Sequence, residues 1–292
     1  VAALFWSADF TGSGLPSAEA YENITLVNRE GSREVYDDIA RISLTPKGEI
    51  LIDGKENEGA ETDRRTPRQE VRVHTSELVV PKGKRAHLQL SDGTRVWINS
   101  ASVLRFPSAF GDTRDVFVEG EAYFEVQHDA QAPFVVSTNG LDIKVLGTRF
   151  NIRNDDNDHR ITTVLLEGAV KAYASGDEKA AVRLRPSQQL VFDTRTGAMR
   201  LTDEPSADRS INWIDGRFCF EHDTFGEIVA ELKRYYNVDI RFMDNRLRDM
   251  RFSGNFRVED GIYHIMSVLQ LTYKFTYKVV GNDIEIYPNP KR

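Results

Sequence analysis

The sequence predicts a mainly β protein that ends in a small α+β domain, and three observations support this fold class. Short runs of alternating apolar and polar residues, separated by turn residues, recur from Val71 to Asp193, which is typical of a β-sandwich or a β-solenoid. The pair Asp92-Gly93 lies between two such runs and predicts a tight hairpin, because glycine tolerates the positive φ of hairpin turns. Helical spacing begins only after the polar break of residues 194–210. No strict repeat is present, so a sandwich and a solenoid both remain open.

Length and composition indicate a soluble globular protein. The 292 residues suffice for two or three units with their own cores. Hydrophobic residues make up 40% of the chain and charged residues 28%, a balance typical of globular proteins. The formal net charge of -7 argues against nucleic-acid binding, since no excess of lysine and arginine is available to neutralise phosphates.

The N-terminal region predicts a linker followed by β structure. The apolar run Val1–Trp6 is either the tail of a membrane helix, with Trp6 at the interface level that aromatic rings prefer, or simply a chain end. Residues 7–20 have linker composition, and residues 1–20 are assigned as a juxtamembrane linker. Residues 21–75 are assigned as a β-rich segment that includes a charged, exposed loop at residues 54–70.

Residues 88–126 predict the order strand, turn, strand, irregular connection, strand, turn, strand. A period of two in the second half indicates a half-buried strand. One face of this strand carries Val116, Val118, Ala122, Phe124 and Val126, and the other carries Phe117, Glu119, Glu121, Tyr123 and Glu125. Gly120 within the run marks a turn or a close approach of two backbones.

Two amphipathic helices are predicted in residues 209–292. Their apolar positions are Phe225, Ile228, Val229 and Leu232 in the first helix and Ile262, Ile265, Met266 and Leu269 in the second, 37 positions later. Thr224 and Glu227 form a capping box at the first helix. We infer two related strand-helix-strand halves and an added final strand at IEIYP, with both helices on one face of a single small mixed sheet.

No catalytic or metal-binding motif is found. The six histidines never approach metal-ligand spacing, and we predict neither a metal nor a cofactor. The single cysteine, Cys219, cannot form an internal disulfide and is interpreted as a small buried hydrophobe rather than a nucleophile.

The main enzymatic alternative rests on two glutamates. Glu119 and Glu121, two apart on one strand, would share a face at a separation that a glycosidase can use, and Trp97 and Tyr123 would add a sugar-stacking surface. A carbohydrate-binding or carbohydrate-active β-sandwich protein is therefore the alternative function. The other interpretation of the glutamates is a solvated strand face.

Several motifs together resemble the periplasmic domain of FecR-type anti-sigma factors. In order, they are LSDGTRVWINSASVLRFP, RDVFVEGEAYFEV, APFVV, VLGTRFNIR, VLLEGAVKAY and LRPSQQ. The resemblance covers residues 76–193, and residues 76–205 are assigned as a FecR-like β domain. Residues 209–292, with Trp213, Gly216, Phe218 and FSGNF, resemble the secretin and TonB short N-terminal domain. Where the family often has Pro-Gly, this chain has Pro186-Ser187.

The resemblance implies a signal relay across the inner membrane. The chain would be the periplasmic region of a single-pass inner-membrane protein, monomeric as a fragment. It would receive the signalling domain of a TonB-dependent outer-membrane transporter and control an extracytoplasmic-function sigma factor through a cytoplasmic region outside this chain. Because an exposed sheet edge can accept a partner strand, we expect docking at residues 238–242 or 252–256. The other interpretation is that these strands are buried within the sheet. The candidate partner-binding residues are Val238, Ile240, Phe242, Phe252, Gly254 and Phe256.

The resemblance also suggests self-cleavage. Some family members cut themselves at a Gly-Thr bond by attack of the threonine hydroxyl on the preceding carbonyl, and this chain has Gly147-Thr148. The other interpretation is a simple turn with Thr148 entering a strand, and no other enzymatic activity is expected. A structural assembly module of an envelope machine is a third function class, because related strand-helix-strand domains build secretion rings.

Overall fold

The chain divides into two compact units, which we name the β unit (Val1–Ala207) and the C-terminal unit (Asp208–Arg292). The structure, a computed structural model, describes residue 18 and residues 21–28, 33–36, 40–45, 50–52, 55–56, 74–155, 159–272, 275–281 and 283–289. The apolar run Val1–Trp6, nearly all of the predicted linker and most of the predicted loop at 54–70 lie outside the described residues.

Two large sheets make up the β unit. Its strands are β1 (Ile24–Asn28), β2 (Arg33–Tyr36), β3 (Ala40–Leu44), β4 (Ile50–Ile52), β5 (Lys55–Glu56), β6 (Thr75–Val80), β7 (Ala86–Gln89), β8 (Arg95–Ile98), β9 (Ser102–Pro107), β10 (Arg114–Glu119), β11 (Glu121–Glu125), β12 (Phe134–Thr138), β13 (Leu141–Val145), β14 (Arg149–Asp155), β15 (Arg160–Glu167), β16 (Val170–Ala174), β17 (Val182–Leu184), β18 (Gln188–Asp193) and β19 (Met199–Asp203). Within the described residues they form a nine-stranded sheet, β17-β16-β13-β12-β10-β9-β6-β1-β2, and a ten-stranded sheet, β19-β18-β15-β14-β11-β8-β7-β3-β4-β5. The pairs β10/β12 and β3/β7 are parallel.

The path of the chain combines features of both predicted architectures. Apolar side chains of the two sheets share one core, as in a sandwich. From β6 onward the chain passes back and forth between the sheets, and each passage adds strands on the same side, so both sheets grow in sequence order as in a solenoid. The mainly β prediction is confirmed, and the unit is a two-sheet sandwich built by progressive winding.

The N-terminal strands extend both sheets. Leu26 on β1 lies opposite Leu78 on β6, and Ile42 on β3 lies opposite Leu88 on β7. All four side chains are buried in the shared core. The described strands between residues 24 and 56 therefore belong to the same folded unit as residues 76–205.

The alternation predicted around Gly120 is observed, but the run is not one strand. Val116, Val118, Ala122, Phe124 and Val126 all lie in the core. However, β10 ends at Glu119 in the nine-stranded sheet and β11 begins at Glu121 in the ten-stranded sheet. Gly120 between them has a φ of +89°, and a Cβ atom there would lie 2.4 Å from Oγ of Ser102. Both a turn and a close approach are therefore present.

Two strands lie where the sequence predicts irregular or polar segments. β9 occupies the predicted irregular connection, and all of its residues are buried; a strand buried on both faces lacks the alternation by which strands are detected. β19 lies in the predicted polar break as a largely exposed edge strand, held by pairing with β18. The prediction was wrong at both places, because pairing with distant strands outweighs the local pattern.

Two turns that the sequence analysis singled out have a residue with a positive φ. At Asp92-Gly93, the Leu90 N–H donates to the Thr94 carbonyl at 2.8 Å and Gly93 has a φ of +87°, so the predicted hairpin of β7 and β8 is confirmed. Ser187, at a position where the proteins that this chain resembles often have glycine, has a φ of +61°. This turn therefore keeps a left-handed geometry with a residue for which that geometry is costly.

Two strand-helix-strand halves form the C-terminal unit, as predicted. Its elements are β20 (Arg217–Thr224), α1 (Phe225–Tyr236), β21 (Ile240–Phe242), β22 (Arg251–Arg257), α2 (Ile262–Thr272), β23 (Phe275–Val280) and β24 (Asp283–Pro288). One 3₁₀ helix, Glu178–Ala180, lies in the β unit, and others cover Ala207–Asp215, Asn245–Asp249 and Val258–Asp260. The predicted apolar positions of both helices are buried. The capping box also forms, since the Glu227 N–H donates to Thr224 Oγ1 at 3.2 Å and the Thr224 N–H donates to Glu227 Oε2 at 2.8 Å.

The strands of the two halves form two small sheets, which corrects the prediction of a single mixed sheet. Within the described residues, β20 pairs antiparallel with β22. β24 lies between β21, to which it is parallel, and β23, to which it is antiparallel. Equivalent strands of the two halves thus share a sheet, and both helices and both sheets contribute to one hydrophobic core.

Candidate docking edges and a glycine-threonine turn

The predicted docking strands lie in the C-terminal unit, but their apolar side chains belong to its core. The side chains buried in this core or packed against it are Val238, Ile240, Phe242, Phe252 and Phe256. Gly254 has equally little room, since a Cβ atom there would lie 3.1 Å from a ring carbon of Phe256. These strands can therefore offer a partner mainly their backbone.

Ring contacts explain why the phenylalanines point inward. Phe225, the first residue of α1, has its ring centroid 5.2 Å from that of Phe242, 4.9 Å from that of Phe252 and 5.0 Å from that of Phe275. One aromatic side chain thus joins a helix to strands of both small sheets. Aromatic pairs at such distances add to the stabilisation from burial alone.

Four strands of the C-terminal unit have an open edge. Within the described residues, β20, β21, β22 and β23 each pair with a single strand. The unpaired N–H and C=O groups along such an edge can hydrogen-bond an added strand. The unit is therefore suited to strand addition, and the choice among four edges depends on their length, regularity and charge.

The predicted cleavage pair lies in the turn between β13 and β14, and hydrogen bonds hold it on both sides. The Asp129 N–H donates to the Leu146 carbonyl at 2.7 Å, and the Val126 N–H donates to the Thr148 carbonyl at 3.0 Å. The Thr148 hydroxyl donates to the Ala169 carbonyl at 3.0 Å. Thr148 is 4% exposed, so its hydroxyl is fixed in position next to the Gly-Thr bond.

His128 and Gly168 pack closely against this bond. A Cβ atom on Gly147 would lie 2.5 Å from Nδ1 of His128, and one on Gly168 would lie 2.9 Å from both the Gly147 carbonyl oxygen and Thr148 Oγ1. Glycine is thus required at both positions, and Gly168 also has a φ of +92°. The sequence did not indicate His128 or Gly168, because they come from other turns of the sandwich.

The two glutamates of the glycosidase alternative do not share a face, and that prediction was wrong. They lie on strands of different sheets, separated by the turn at Gly120. Glu119 binds Arg105 Nη1 at 3.1 Å. Glu121 is 6% exposed and accepts hydrogen bonds from the side-chain amides of Asn99 at 2.9 Å and Asn151 at 3.0 Å. Neither carboxylate is placed for acid-base catalysis on a common substrate.

The predicted sugar-stacking surface is mostly buried. The ring centroids of Trp97 and Tyr123 are 5.3 Å apart, but Tyr123 is only 2% exposed. The Tyr123 hydroxyl accepts from Arg149 Nε at 2.9 Å and donates to Glu125 at 3.1 Å. Burial raises the pKa of Tyr123 to about 12. Of this pair only Trp97, which is half-buried, has a ring within reach of a ligand.

Two aspartates on the nine-stranded sheet have a raised pKa. Loss of hydration on burial is the main cause for both Asp115 and Asp142. Hydroxyl donors oppose it, with Thr113 donating to Asp115 at 2.6 Å and Ser175 donating to Asp142 at 3.1 Å. These carboxyl groups make the stability of the β unit dependent on pH.

Cys219 on β20 is a free thiol and is half-buried, whereas the sequence analysis predicted a buried side chain. No group of three or more His, Cys, Asp or Glu side chains that could hold a metal ion occurs in the described ranges. In the same part of the chain, no helix is both long enough and apolar enough to cross a membrane.

Comparison with known proteins decides the family. The sequence model of FecR protein matches residues 76–171, and that of the FecR C-terminal region matches residues 217–286. A crystal structure from Parabacteroides distasonis ATCC 8503, assigned by inference as an anti-sigma factor, is similar with a TM-score of 0.66 and 28% sequence identity, covering 73% of this chain and 99% of that chain. The chain belongs to the FecR-type anti-sigma factors.

A second crystal structure with the same assignment from that organism has a TM-score of 0.66 at 27% identity, covering 74% of this FecR-type chain and 99% of its own. No curated protein matches the chain. The FecR C-terminal match begins at the first residue of β20 and lies within the C-terminal unit. The further resemblance of this unit to the secretin and TonB short N-terminal domain stays a prediction.

Proposed function

We propose that this FecR-type anti-sigma factor is the periplasmic region of a single-pass inner-membrane protein that receives a signal from a TonB-dependent outer-membrane transporter. The observation that carries the proposal is the C-terminal unit, whose two small sheets have open edges. Such edges suit recognition by strand addition, in which main-chain hydrogen bonds supply affinity. The β unit then acts as the scaffold that carries the docking unit.

On this proposal, the output is control of an extracytoplasmic-function sigma factor, bound by a cytoplasmic region outside this chain. A transcriptional reporter for that sigma factor, in cells carrying the complete protein, tests this step. We expect its response to transporter substrate to disappear when residues 208–292 are deleted and to return on complementation. A response that persists without these residues would contradict a receiver role for the C-terminal unit.

Binding to the transporter is tested with purified components. The probe is the signalling domain of the TonB-dependent transporter encoded beside this protein, titrated into the full chain by isothermal titration calorimetry. The expected result is a one-to-one complex, while the signalling domain of an unrelated transporter gives no heat. Absence of binding to the cognate domain would refute the transporter as partner.

Sedimentation velocity separates the relay from a ring-forming assembly module. The relay is expected to be monomeric on its own, whereas an assembly module self-associates through its strand-helix-strand domain. A concentration-dependent oligomer in the absence of a partner would therefore favour the assembly module.

A second activity, self-cleavage at Gly147-Thr148, is favoured by the packing of this bond between His128 and Gly168. Thr148 Oγ attacks the Gly147 carbonyl carbon, the C–N bond breaks, and the freed Thr148 amine takes up a proton. Water then hydrolyses the resulting ester, restoring the hydroxyl and leaving a carboxylate on Gly147.

Mass spectrometry of the incubated protein tests this reaction. We expect fragments that end at Gly147 and begin at Thr148, and only the full-length mass for Thr148→Ala. Thr138→Ala is the matched control, because Thr138 is also buried but lies at the end of β12. If the wild-type chain keeps its full-length mass throughout, the Gly-Thr pair is a structural turn.

A further inference from the structure

We propose that β23 (Phe275–Val280) is the strand of the C-terminal unit onto which the transporter's signalling domain adds a strand of its own. This inference rests on the proposed function and selects one of the four open edges. Strand addition is opposed by an irregular stretch in β20, by a short length and ion pairs in β21, and by charged ends in β22. The edge of β23 is regular and carries a single charged residue.

The two-stranded sheet is protected by charge and by irregularity. The exposed positions of β22 include Arg251 and Arg257 at its two ends. β20 is irregular between Phe220 and Asp223, where His222 has a φ of +59°. Charged side chains and bulges are the features by which natural sheets keep an edge from pairing.

The edge of β21 is short and occupied by ion pairs. The strand has only three residues, Ile240–Phe242. Its exposed Arg241 binds Asp239 at 2.6 Å and Asp283 at 3.2 Å. An added strand would gain few main-chain hydrogen bonds and would have to fit around these charged groups.

β23 is longer than β21, and it is regular and apolar at its exposed end. All six of its residues pair with β24 without a shift of register. Val279 and Val280 are 46% and 54% exposed, which places them among the few large apolar side chains that face water in the described part of the chain. β-branched residues on an open, regular edge favour pairing with another strand.

The charge of this edge indicates what the incoming strand carries. Lys278 is the one charged residue of β23, and it lies opposite Glu285 of β24 with its Nζ 5.2 Å from the ring centroid of Tyr287. A carboxylate opposite Lys278 on the other side would extend the row of alternating charge, and cross-strand pairs of opposite charge are stabilising. The occupant is thus an extended segment with an acidic residue facing Lys278 and an apolar or β-branched residue facing Val280.

The test places a charge on one edge at a time in the full chain and measures binding of the cognate signalling domain by calorimetry. Val280→Lys is suitable because residue 280 lies opposite Asp283, so the new charge is tolerated in the free protein. Asn255→Lys puts the same charge on the exposed side of β22. Leu201→Lys is the matched control on edge strand β19 of the β unit, where Leu201 is 39% exposed.

Val280→Lys is expected to raise the Kd about tenfold or more, with Asn255→Lys, Leu201→Lys and the conservative Val280→Thr within about twofold of wild type. Unchanged binding by Val280→Lys, together with weaker binding by Asn255→Lys, would assign the docking edge to β22 and overturn the inference while leaving the proposed function intact. If the wild-type chain does not bind the signalling domain, both the proposed function and the proposed occupant of β23 are refuted. Self-association that Val280→Lys abolishes would assign the edge to a second copy of the chain and also overturn the inference.

Discussion

Arg105 on β9 and Glu77 on β6 form an ion pair with an N–O distance of 2.6 Å, and their side chains are only 10% and 6% exposed. The guanidinium lies 5.0 Å from the ring centroid of Phe117 and also binds Glu119. Oε1 of Glu77 has no hydrogen-bond partner in the described part of the structure. This charged pair lies between two neighbouring strands of the nine-stranded sheet.

Removing one member of this pair should destabilise the β unit. Arg105→Ala leaves the buried Glu77 carboxylate uncompensated, and such a loss costs about 3–5 kcal/mol of the free energy of unfolding. Urea unfolding of the full chain, followed by circular dichroism, measures the change. The double variant Arg105→Met with Glu77→Leu is the control, because replacing a whole buried pair by apolar residues is often neutral or stabilising. A loss below about 1 kcal/mol for Arg105→Ala would show that water reaches the carboxylate.

Gly120→Ala should be more costly than the same change at an open turn. At Gly120 the new Cβ atom meets Ser102 Oγ at 2.4 Å and the φ is +89°, whereas at Gly197, with a φ of +71°, a new Cβ atom would have no other atom within 4 Å. Gly197→Ala therefore costs only the left-handed conformation, about 1–2 kcal/mol, and Gly120→Ala adds overpacking of about 1–3 kcal/mol. Equal losses in thermal unfolding would mean that β9 and β11 can move apart freely.

Ser187→Gly should stabilise the β unit. Ser187 has a φ of +61°, a conformation that costs a residue with a Cβ atom about 1–2 kcal/mol and costs glycine nothing. Against this, the greater freedom of glycine in the unfolded chain lowers the free energy of unfolding by about 0.5–1 kcal/mol. The net gain expected in urea unfolding is between zero and about 1.5 kcal/mol. Ser206→Gly, at a position without a positive φ, should only destabilise. A loss of stability in both variants would contradict this assignment of strain to Ser187.

Asp142→Asn should stabilise the β unit at pH 7 and lose this advantage in acid. Because burial raises the pKa of Asp142 in the folded state, the native protein holds more protons than the unfolded chain between the two pKa values, and the free energy of unfolding falls as pH rises through that interval. The difference between variant and wild type, measured by urea unfolding, should therefore shrink as the pH is lowered towards the ordinary range of aspartate.

Asp193→Asn provides a control of opposite sign for this pH dependence. Main-chain N–H donors of Thr196 and Arg195 lower the pKa of Asp193, so its contribution is present at neutral pH and is lost as pH falls. The variant is expected to be less stable than wild type at pH 7. If both aspartate variants respond to pH in the same direction, burial is not the cause of the shift at Asp142.

Predictions from sequence succeeded where neighbouring residues decide the structure. The capping box of Thr224 and Glu227, the hairpin at Asp92-Gly93 and the apolar faces of both helices were all identified from short-range patterns. β9 and β19 were missed because one is buried on both faces and the other is polar, so that neither has the alternation of a half-buried strand. For the two strands that the sequence analysis expected to dock a partner, the sequence located the strands but not the fact that Phe252 and Ile240 point into the core.

By itself the sequence determined the positions of most strands, both helices and the cap of the first helix, the repeated halves and the family motifs, because periodicity, capping and turn chemistry depend on residues close together in the chain. Only the tertiary structure decided that Glu119 and Glu121 lie on different sheets, that His128 packs against Gly147, and that β24 lies between β21 and β23. These relationships depend on pairing between segments that are distant in sequence. A local pattern specifies that a segment pairs, and the packing of the whole unit specifies its partner.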